Sequence, residues 1–269
     1  MKRDTLWGEL WAEFFGTLTL IVFGCGVVAN VLYAPRLSGF GIFKTGAGYG
    51  WDTIAFGWAF AVALAVYVAG GITGAHINPA VTFAAILRRG MPVGKGIGYM
   101  VAQTLGAFLG AFIAHMAYLG SFIKDGYMNI FYTGAANPGY SLGNSFFVEL
   151  VATAFLVLFI YAIGDNVNNV GPGANLWPFM VGMAILLIGL GLGGPTGYAL
   201  NPARDLGPRI YAALIGDTAA FQGPYWFLVP IVATLLGGGI GAYVYDFGIT
   251  PFLPKAAAAK EKTATTAAK

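Results

Sequence analysis

Charged residues are scarce in this chain of 269 residues. Lys and Arg together number 14 and Asp and Glu number 11, so only 9% of the residues are charged, whereas 58% are hydrophobic. A soluble domain has about a quarter of its residues charged, because it needs a polar shell. The composition therefore excludes a water-soluble globular protein and indicates an integral membrane protein. The net charge of +3 gives no reason to expect a nucleic-acid partner.

Cysteine is nearly absent as well. The single cysteine, Cys25, lies inside an apolar run, which excludes an intrachain disulfide and argues against a thiolate metal site. We expect it to pack as a small apolar side chain. The sequence also has no His-Glu-x-x-His pattern. We therefore expect no enzyme activity, no cofactor and no metal.

Long apolar runs are what the sequence has in abundance. About 20 apolar residues are needed to cross roughly 30 Å of hydrocarbon. Six runs approach or exceed that length: Trp7–Leu32, Ile54–Ile72, Ile97–Leu119, Asn144–Gly164, Leu176–Leu192 and Tyr225–Phe247. Two others, Asn78–Leu87 and Asn201–Leu214, are too short to span. The predicted fold is all-α, with six transmembrane helices and two re-entrant half-helices in one domain, residues 1–248, and a disordered cytoplasmic tail, residues 249–269.

The chain repeats itself in order. Residues 7–119 and 144–247 form two halves in which "AEFFGTLTLIVF" matches "VELVATAFLVLF", "ITGAHINPA" matches "PTGYALNPA" and "LGAFLGA" matches "LGGGIGA". Each half has three spans, an odd number, so the second half enters the membrane from the opposite face. The repeats are therefore predicted to be inverted, about an axis in the membrane plane.

Basic residues predict the orientation. Cytoplasmic flanks of membrane proteins carry an excess of Lys and Arg. The side that holds both termini carries more of them (Lys2, Arg3, Arg88, Arg89, Lys95, Lys255, Lys260, Lys262 and Lys269) than the other side (Arg36, Lys44, Lys124 and Arg209). Both termini are therefore predicted to be cytoplasmic, in a multi-pass protein of the cell membrane.

Each short segment opens with Asn-Pro-Ala, at Asn78–Ala80 and again at Asn201–Ala203. Asn is a favoured helix N-cap, and Pro79 and Pro202 suit the first helical position because a proline lacks the N–H that would be unpaired there. Each motif therefore predicts the start of a half-helix, and the inverted repeat brings the two starts together at the membrane centre. There the asparagine NH2 groups could donate to a passing solute, and the two positive helix ends would repel cations and hydronium.

The glycine-rich stretches before the motifs complete the predicted pore. Irregular backbone at membrane depth is tolerated where it lines water. Extended carbonyls of residues 71–76 and 194–199, which include Gly74, Ala75, Gly197 and Ala199, should therefore line one wall of the pore. Arg204 follows Asn201 by three residues and shares its helix face. An arginine is costly in lipid, so Arg204 should face the pore. The sequence predicts a conduit for small neutral hydroxylic solutes that excludes protons.

The paired motifs "GAHINPAVT" and "GYALNPARDLGPR", with the layout of six spans and two half-helices, resemble the aquaporin family over about residues 7–248. With Asp205 directly after Arg204, the second motif resembles that of the glycerol facilitator branch of the family. The resemblance implies a homotetramer in the bilayer and a selectivity filter formed by Trp58, Gly189, Tyr198 and Arg204. Gly189 stands where water-selective relatives have a bulky histidine, which implies room for glycerol. Glycerol facilitators more often have Phe at the position of Tyr198, which leaves the preferred solute open.

Further roles are implied by the same resemblance. His76 should line the cytoplasmic half of the pore, and Glu13 and Glu149 should accept hydrogen bonds from the two re-entrant loops. Asp205 and Arg209 are spaced to pair on one helix face. His115 has no motif around it and is interpreted as structural.

Three alternatives differ from a glycerol channel. A water-selective aquaporin is the nearest, and a facilitator tuned to urea or undissociated lactic acid is another. A secondary active transporter would also suit inverted repeats. It would need ionisable coupling residues at mid-membrane, and the sequence offers only Glu13 and Glu149.

Overall fold

A computed structural model describes residues 5–33, 50–118, 130–135 and 139–254. Over these ranges the regular secondary structure is helical, without a strand. The helices are α1 Leu6–Tyr33, α2 Trp51–Thr73, α3 Pro79–Arg88, α4 Val93–Ala117, α5 Leu142–Gly164, α6 Trp177–Leu192, α7 Pro202–Leu214 and α8 Tyr225–Phe252. Helix α8 includes two π-helical segments, Leu228–Ala233 and Tyr245–Ile249.

Several predictions fall on other parts of the chain. The tail predicted from residue 249 is described only as far as residue 254, with a short 3₁₀ turn at Thr250–Phe252. The basic residues Lys2, Arg3, Arg36, Lys44, Lys124 and those of the tail also lie outside the described residues.

Six helices correspond to the predicted spans. Helices α1, α2, α4, α5 and α8 have 23 to 28 residues and are apolar enough to cross a membrane. Helix α6 has 16 residues, which corresponds to about 24 Å at 1.5 Å per residue. Large apolar side chains such as Phe23, Leu64, Phe147 and Leu187 are at least half exposed. Such outward apolar faces suit contact with lipid.

The two halves pack in the same way. Helix α1 packs against α2 and α4, and α5 packs against α6 and α8. The half-helices cross over: α7 of the second half lies against α4, and α3 of the first half lies against α8. This exchange is what inverted repeats produce, because each half-helix enters beside the third span of the other half.

Paired glycines allow the closest helix contacts. A Cβ placed on Gly106 or Gly110 would collide with the backbone of α1, and one on Gly237 or Gly241 would collide with the backbone of α5. These small residues therefore let the helix backbones approach closely, and the contacts lie within the monomer.

One enzyme-like pattern has a structural role. Gly-x-Ser-x-Gly, the pattern of many serine hydrolases, occurs at Gly139–Gly143. There Ser141 is the N-cap of α5, and its Oγ accepts a hydrogen bond from Asn144 N at 3.1 Å. The serine starts a helix after a turn, instead of standing on the strand-to-helix turn that the hydrolase pattern requires.

Candidate functional site

The two Asn-Pro-Ala motifs cap the two half-helices. Asn78 is the N-cap of α3, with its Oδ1 2.8 Å from Ala80 N. Asn201 is the N-cap of α7, where its Oδ1 accepts from Ala203 N at 3.0 Å and from Arg204 N at 3.1 Å. Pro79 and Pro202 occupy the first helical positions. The predicted caps are confirmed, and both asparagines are buried.

The caps also join the two halves to each other. Asn78 Nδ2 donates to Leu200 O at 2.9 Å, and Asn201 Nδ2 donates to Ile77 O at 2.8 Å. An amide NH2 group has two donors. One donor of each asparagine therefore holds the opposite loop, and one N–H of each remains. From the sequence, the whole NH2 group had been expected to be available.

The loops before the half-helices have a matched irregular backbone. Left-handed φ angles occur at Gly74 (77°), Ala75 (51°) and Ile77 (42°), and again 123 residues later at Gly197 (86°), Tyr198 (40°) and Leu200 (57°). A left-handed backbone is costly for residues other than glycine and is retained where the surroundings enforce it, most often at functional sites. The same cost recurs in both halves.

The two loops begin later in the chain than the sequence analysis predicted. Residues 71–73 belong to α2, which ends at Thr73 with Gly74 as its left-handed C-cap and with Gly74 N donating to Gly70 O at 3.0 Å. Residues 194–196 form a turn. The two glycines near the end of α2 had suggested an earlier break, but glycine only weakens a helix that is held by packing. The extended segments are 74–77 and 197–200.

Two buried glutamates hold these segments. Three groups at the loop donate to the Glu13 carboxylate: Thr73 Oγ1 (2.6 Å), His76 N (3.0 Å) and Ile77 N (2.6 Å). The equivalent three donate to Glu149: Thr196 Oγ1 (2.6 Å), Ala199 N (2.7 Å) and Leu200 N (3.0 Å). The predicted contacts are therefore present, and they turn the loop N–H groups away from the conduit. Within the described chain, no partner is found for the carbonyls of residues 74–76 and 197–199.

Arg204 lies where two cavities of the conduit adjoin. A cavity of about 50 Å³ extends past Asn78 and Asn201 towards the end of α8, which we call the inner side. A cavity of about 280 Å³ opens towards the opposite, outer side. The residues that line both are Trp58, Tyr198 and Arg204. The Arg204 guanidinium carbon lies 4.4 Å from the centre of the Trp58 ring, and Nη1 donates to Phe131 O at 3.1 Å. Three of the four residues predicted for the filter therefore lie together where the two cavities adjoin.

Gly189, the fourth, lies behind Tyr198 and lines neither cavity. A Cβ at Gly189 would stand 3.1 Å from Tyr198 Cζ and 3.3 Å from Tyr198 Oη. Trp51 supports this arrangement, because its Nε1 donates to Gly189 O at 2.9 Å and its ring lies 5.5 Å from that of Tyr198. The room expected at Gly189 is thus partly filled by the phenol. The Tyr198 hydroxyl is buried and has no partner in the described chain.

The model of a family described as major intrinsic protein matches residues 1–245. The chain belongs to the major intrinsic protein family. It is 40% identical over 243 residues to a probable glycerol uptake facilitator protein of Thermotoga maritima, and the matched region covers 88% of this chain and 97% of the relative. It is 38% identical over 275 residues to a glycerol uptake facilitator protein of Pseudomonas aeruginosa, over 96% of this chain and 94% of the relative.

A solved structure agrees with these relatives. The X-ray structure of the aquaglyceroporin from Plasmodium falciparum superposes with a TM-score of 0.79 at 31% identity, covering 92% of this chain and 98% of that one. The predicted fold of six spanning helices and two half-helices is therefore confirmed. As a member of the major intrinsic protein family, the chain is a multi-pass membrane channel and not an enzyme.

A buried ion pair holds the segment that contacts Arg204. Arg209 Nε lies 2.7 Å from Asp205 Oδ1, which confirms the predicted pairing. Asp205 Oδ2 also accepts from Thr133 N (2.7 Å) and Thr133 Oγ1 (2.6 Å), and Arg209 Nη2 donates to Thr133 O (2.8 Å). Together they hold the segment 130–135, whose Phe131 carbonyl meets Arg204.

This segment could not be singled out from the sequence, because it carries no motif and lies within a long loop. Tyr132 of the same segment lines the outer cavity. Burial and a hydrogen bond to Asp217 raise the pKa of Tyr132, so its phenol stays neutral.

The inner half of the conduit is mostly apolar. His76 lines it, as predicted from the family, and His76 Nδ1 lies 3.1 Å from Thr82 Oγ1. Gln103 Nε2 donates both to Thr82 Oγ1 (3.0 Å) and to Glu13 Oε2 (2.7 Å). The sequence did not single out the apolar lining (Leu20, Val62, Val66, Leu156, Val181 and Ile185), since these side chains look like any other residues of a membrane helix.

Two further residues have the packing roles expected of them. His115 Nδ1 lies 2.6 Å from Tyr211 Oη, away from the cavities described above. Cys25 is fully buried. Across the described ranges, no group of three or more His, Cys, Asp or Glu side chains could hold a metal ion.

Proposed function

We propose that the chain is a passive channel for glycerol and other small neutral solutes, which also conducts water and excludes protons and ions. The observation that carries this proposal is the constriction itself, where the Arg204 guanidinium lies over the Trp58 ring and lines the same two cavities as Tyr198. Such a slot is amphipathic, since Arg204 donates to hydroxyl oxygens while Trp58 and Tyr198 contact C–H groups. A polyol with its hydroxyls on one edge matches both walls. Gly189 serves this filter by leaving the space into which Tyr198 packs.

Beyond the filter, the conduit again has one polar wall and one apolar wall. The carbonyls of Gly74, Ala75 and His76 on the inner side, and of Gly197 and Ala199 on the outer side, replace water as acceptors for solute hydroxyls. The free N–H of each asparagine donates at the centre. The opposite wall is apolar and receives the carbon backbone of the solute. Glu13 and Glu149 act as loop scaffolds and carry no proton across.

Proton and cation exclusion follows from the charges at the waist. Two helix N-termini meet at Asn78 and Asn201, and each is equivalent to about half a positive charge. Arg204 adds a full charge beside the lumen. A cation would meet this positive field after losing its hydration shell in a cavity of about 50 Å³. A neutral molecule pays no such electrostatic cost.

We further propose a homotetramer in the cell membrane with both termini in the cytoplasm. The excess of Lys and Arg on the side of the termini supports this orientation. The half-exposed apolar side chains of the outer helix faces support contact with lipid or with other subunits. The family resemblance supports four copies, each with its own conduit.

One observation favours a narrower filter. The Tyr198 phenol occupies space beside Gly189 that would otherwise widen the slot. A water-selective channel is therefore the second candidate. A channel for another small neutral solute, such as urea or undissociated lactic acid, fits the same geometry.

Stopped-flow light scattering of proteoliposomes tests the proposal. We expect glycerol, imposed as an inward gradient, to re-swell vesicles that hold the protein faster than protein-free vesicles of the same lipid. Fast water flow without glycerol entry would refute the glycerol assignment in favour of the water channel. Uphill accumulation driven by a proton or sodium gradient would refute a passive channel.

A further inference from the structure

A second arginine and aromatic pair lies at the other end of the conduit. A cavity of about 180 Å³ continues the lumen inward and shares His76, Val81 and Val181 with the central cavity. A cavity of about 530 Å³ lies next to it. The residues that line both are Arg89, Ile160 and Tyr161. We call the 180 Å³ cavity, with Arg89, Tyr161 and His76, the inner mouth.

The inner mouth resembles the outer constriction in its contacts. The Arg89 guanidinium carbon lies 3.8 Å from the centre of the Tyr161 ring, as that of Arg204 lies 4.4 Å from the Trp58 ring. The internal repeat does not produce this likeness, because the residue 123 positions after Arg89 is Ala212. The pair of Arg89 and Tyr161 is therefore independent of the internal repeat.

Polar groups at the inner mouth remain available. Arg89 has five N–H donors, of which Nη1 donates to Arg88 O and Asp246 Oδ2 and Nη2 donates to Asp246 Oδ1. In the described chain, Nε–H and one N–H of Nη2 have no partner. The Tyr161 hydroxyl is buried there without a hydrogen bond. A buried hydroxyl without a partner is costly, by about 1–3 kcal/mol.

The charges nearby favour a neutral ligand. Two arginines, Arg88 and Arg89, face two aspartates: Asp246, which pairs with both, and Asp165, which accepts from Tyr245 Oη at 2.8 Å. The four charges balance. An ion would therefore gain little, whereas a hydroxyl oxygen can accept from Arg89 Nε–H and pair with the Tyr161 hydroxyl.

We propose that the inner mouth is a second binding site for small neutral hydroxylic solutes, separate from the filter. This inference rests on the proposed function, because it assigns a site to the same class of solute. The solute is held after it has passed the apolar inner half, and Arg89 and Tyr161 supply its first polar contacts before bulk water. Transport through the channel then saturates according to the affinity of this site.

Equilibrium exchange of labelled glycerol in proteoliposomes tests the site. Equal glycerol on both sides makes the result independent of protein orientation, and exchange permeability falls as the site fills. We expect Tyr161→Phe, which keeps the ring under Arg89, to raise the half-saturating glycerol concentration about three- to tenfold, the loss of one hydrogen bond. Arg89→Gln should raise it at least as much.

Arg88→Gln is the matched control, because Arg88 also pairs with Asp246 but lines neither cavity. It should leave the half-saturating concentration unchanged. An unchanged value in Tyr161→Phe, an equal shift in Arg88→Gln and Arg89→Gln, or wild-type exchange that never saturates would each overturn the site. Absence of any glycerol exchange in the wild type would instead refute the proposed function. Tyr161→Phe decides the question if Arg89→Gln fails to fold.

Discussion

Replacing Asp205 with asparagine should destabilise the protein far more than the same change at Asp246. Both aspartates pair with arginine. The Asp205–Arg209 pair is buried, with side-chain exposures of 1% and 4%, whereas Asp246 and Arg89 are 12% and 42% exposed. Removing one partner of a buried pair costs about 3–5 kcal/mol, and an exposed pair contributes about 0–1 kcal/mol.

The geometry around Asp205 shows why asparagine is a poor substitute. Its carboxylate accepts three hydrogen bonds, from Arg209 Nε on one oxygen and from Thr133 N and Oγ1 on the other. An amide places an NH2 group against a donor on one side or the other. We therefore expect the lower half of the 3–5 kcal/mol range for Asp205→Asn and the upper half for Asp205→Ala.

The change should also reach the filter. Once Thr133 is released, the Phe131 carbonyl no longer has a fixed place to accept from Arg204 Nη1. A hydrogen bond to a charged group contributes about 1.5–3 kcal/mol, and about 1.4 kcal/mol corresponds to a factor of ten. The ratio of glycerol to water permeability should therefore change by about tenfold or more in Asp205→Asn.

Thermal unfolding in detergent and stopped-flow permeability measure the two effects. Asp246→Asn, the matched control, should unfold close to the wild type. If Asp205→Asn were no less stable than Asp246→Asn and kept the wild-type permeability ratio, the assigned role of the buried pair in holding segment 130–135 would be wrong.

Three further substitutions test the pore. Arg204→Val should admit protons or cations, measured with a pH-sensitive dye inside proteoliposomes, and unchanged exclusion would disprove its role. Glu149→Gln should reduce water and glycerol flow together, because the loop N–H groups at 199 and 200 lose a charged acceptor; full flow in a folded variant would contradict the scaffold role. Tyr198→Phe should be at least as stable as the wild type and should speed larger polyols relative to glycerol, since it removes an unpartnered hydroxyl that narrows the slot. Slower glycerol flow would mean that the hydroxyl binds the solute.

Local chemistry explains what could be predicted from the sequence. Asn78 and Asn201 were predictable as N-caps because Asn-Pro starts a helix wherever the chain allows one. Asp205 and Arg209 were predictable as a pair because their spacing places them on one helix face. Arg204 had to face the lumen or a partner, since lipid would not accept it.

Contacts between distant segments could not be predicted in this way. The backbone carbonyl of Phe131 accepts a hydrogen bond from Arg204, which lies 73 positions later in the chain. Because every residue has a backbone carbonyl, the residue type at 131 does not reveal this contact. The filling of the space at Gly189 by Tyr198 depends on where α6 lies relative to a loop. The helical state of residues 71–73 depends on packing, which overrode the weak helix propensity of the two glycines. Arg89 and Tyr161 are 72 positions apart and belong to no shared motif.

The exchange of hydrogen bonds between Asn78 and Leu200, and between Asn201 and Ile77, has a consequence for how the protein is made. Neither half supplies the acceptor for its own cap amide, because the Nδ2 group of each asparagine donates to a carbonyl of the other half. While the ribosome is still making the second half, the Asn78 amide lacks its protein acceptor, Leu200 O. The first half therefore cannot complete its hydrogen bonds before residue 200 has been made. We therefore expect the contact between the two loops, which joins the halves at the centre of the conduit, to form after both halves are in the membrane.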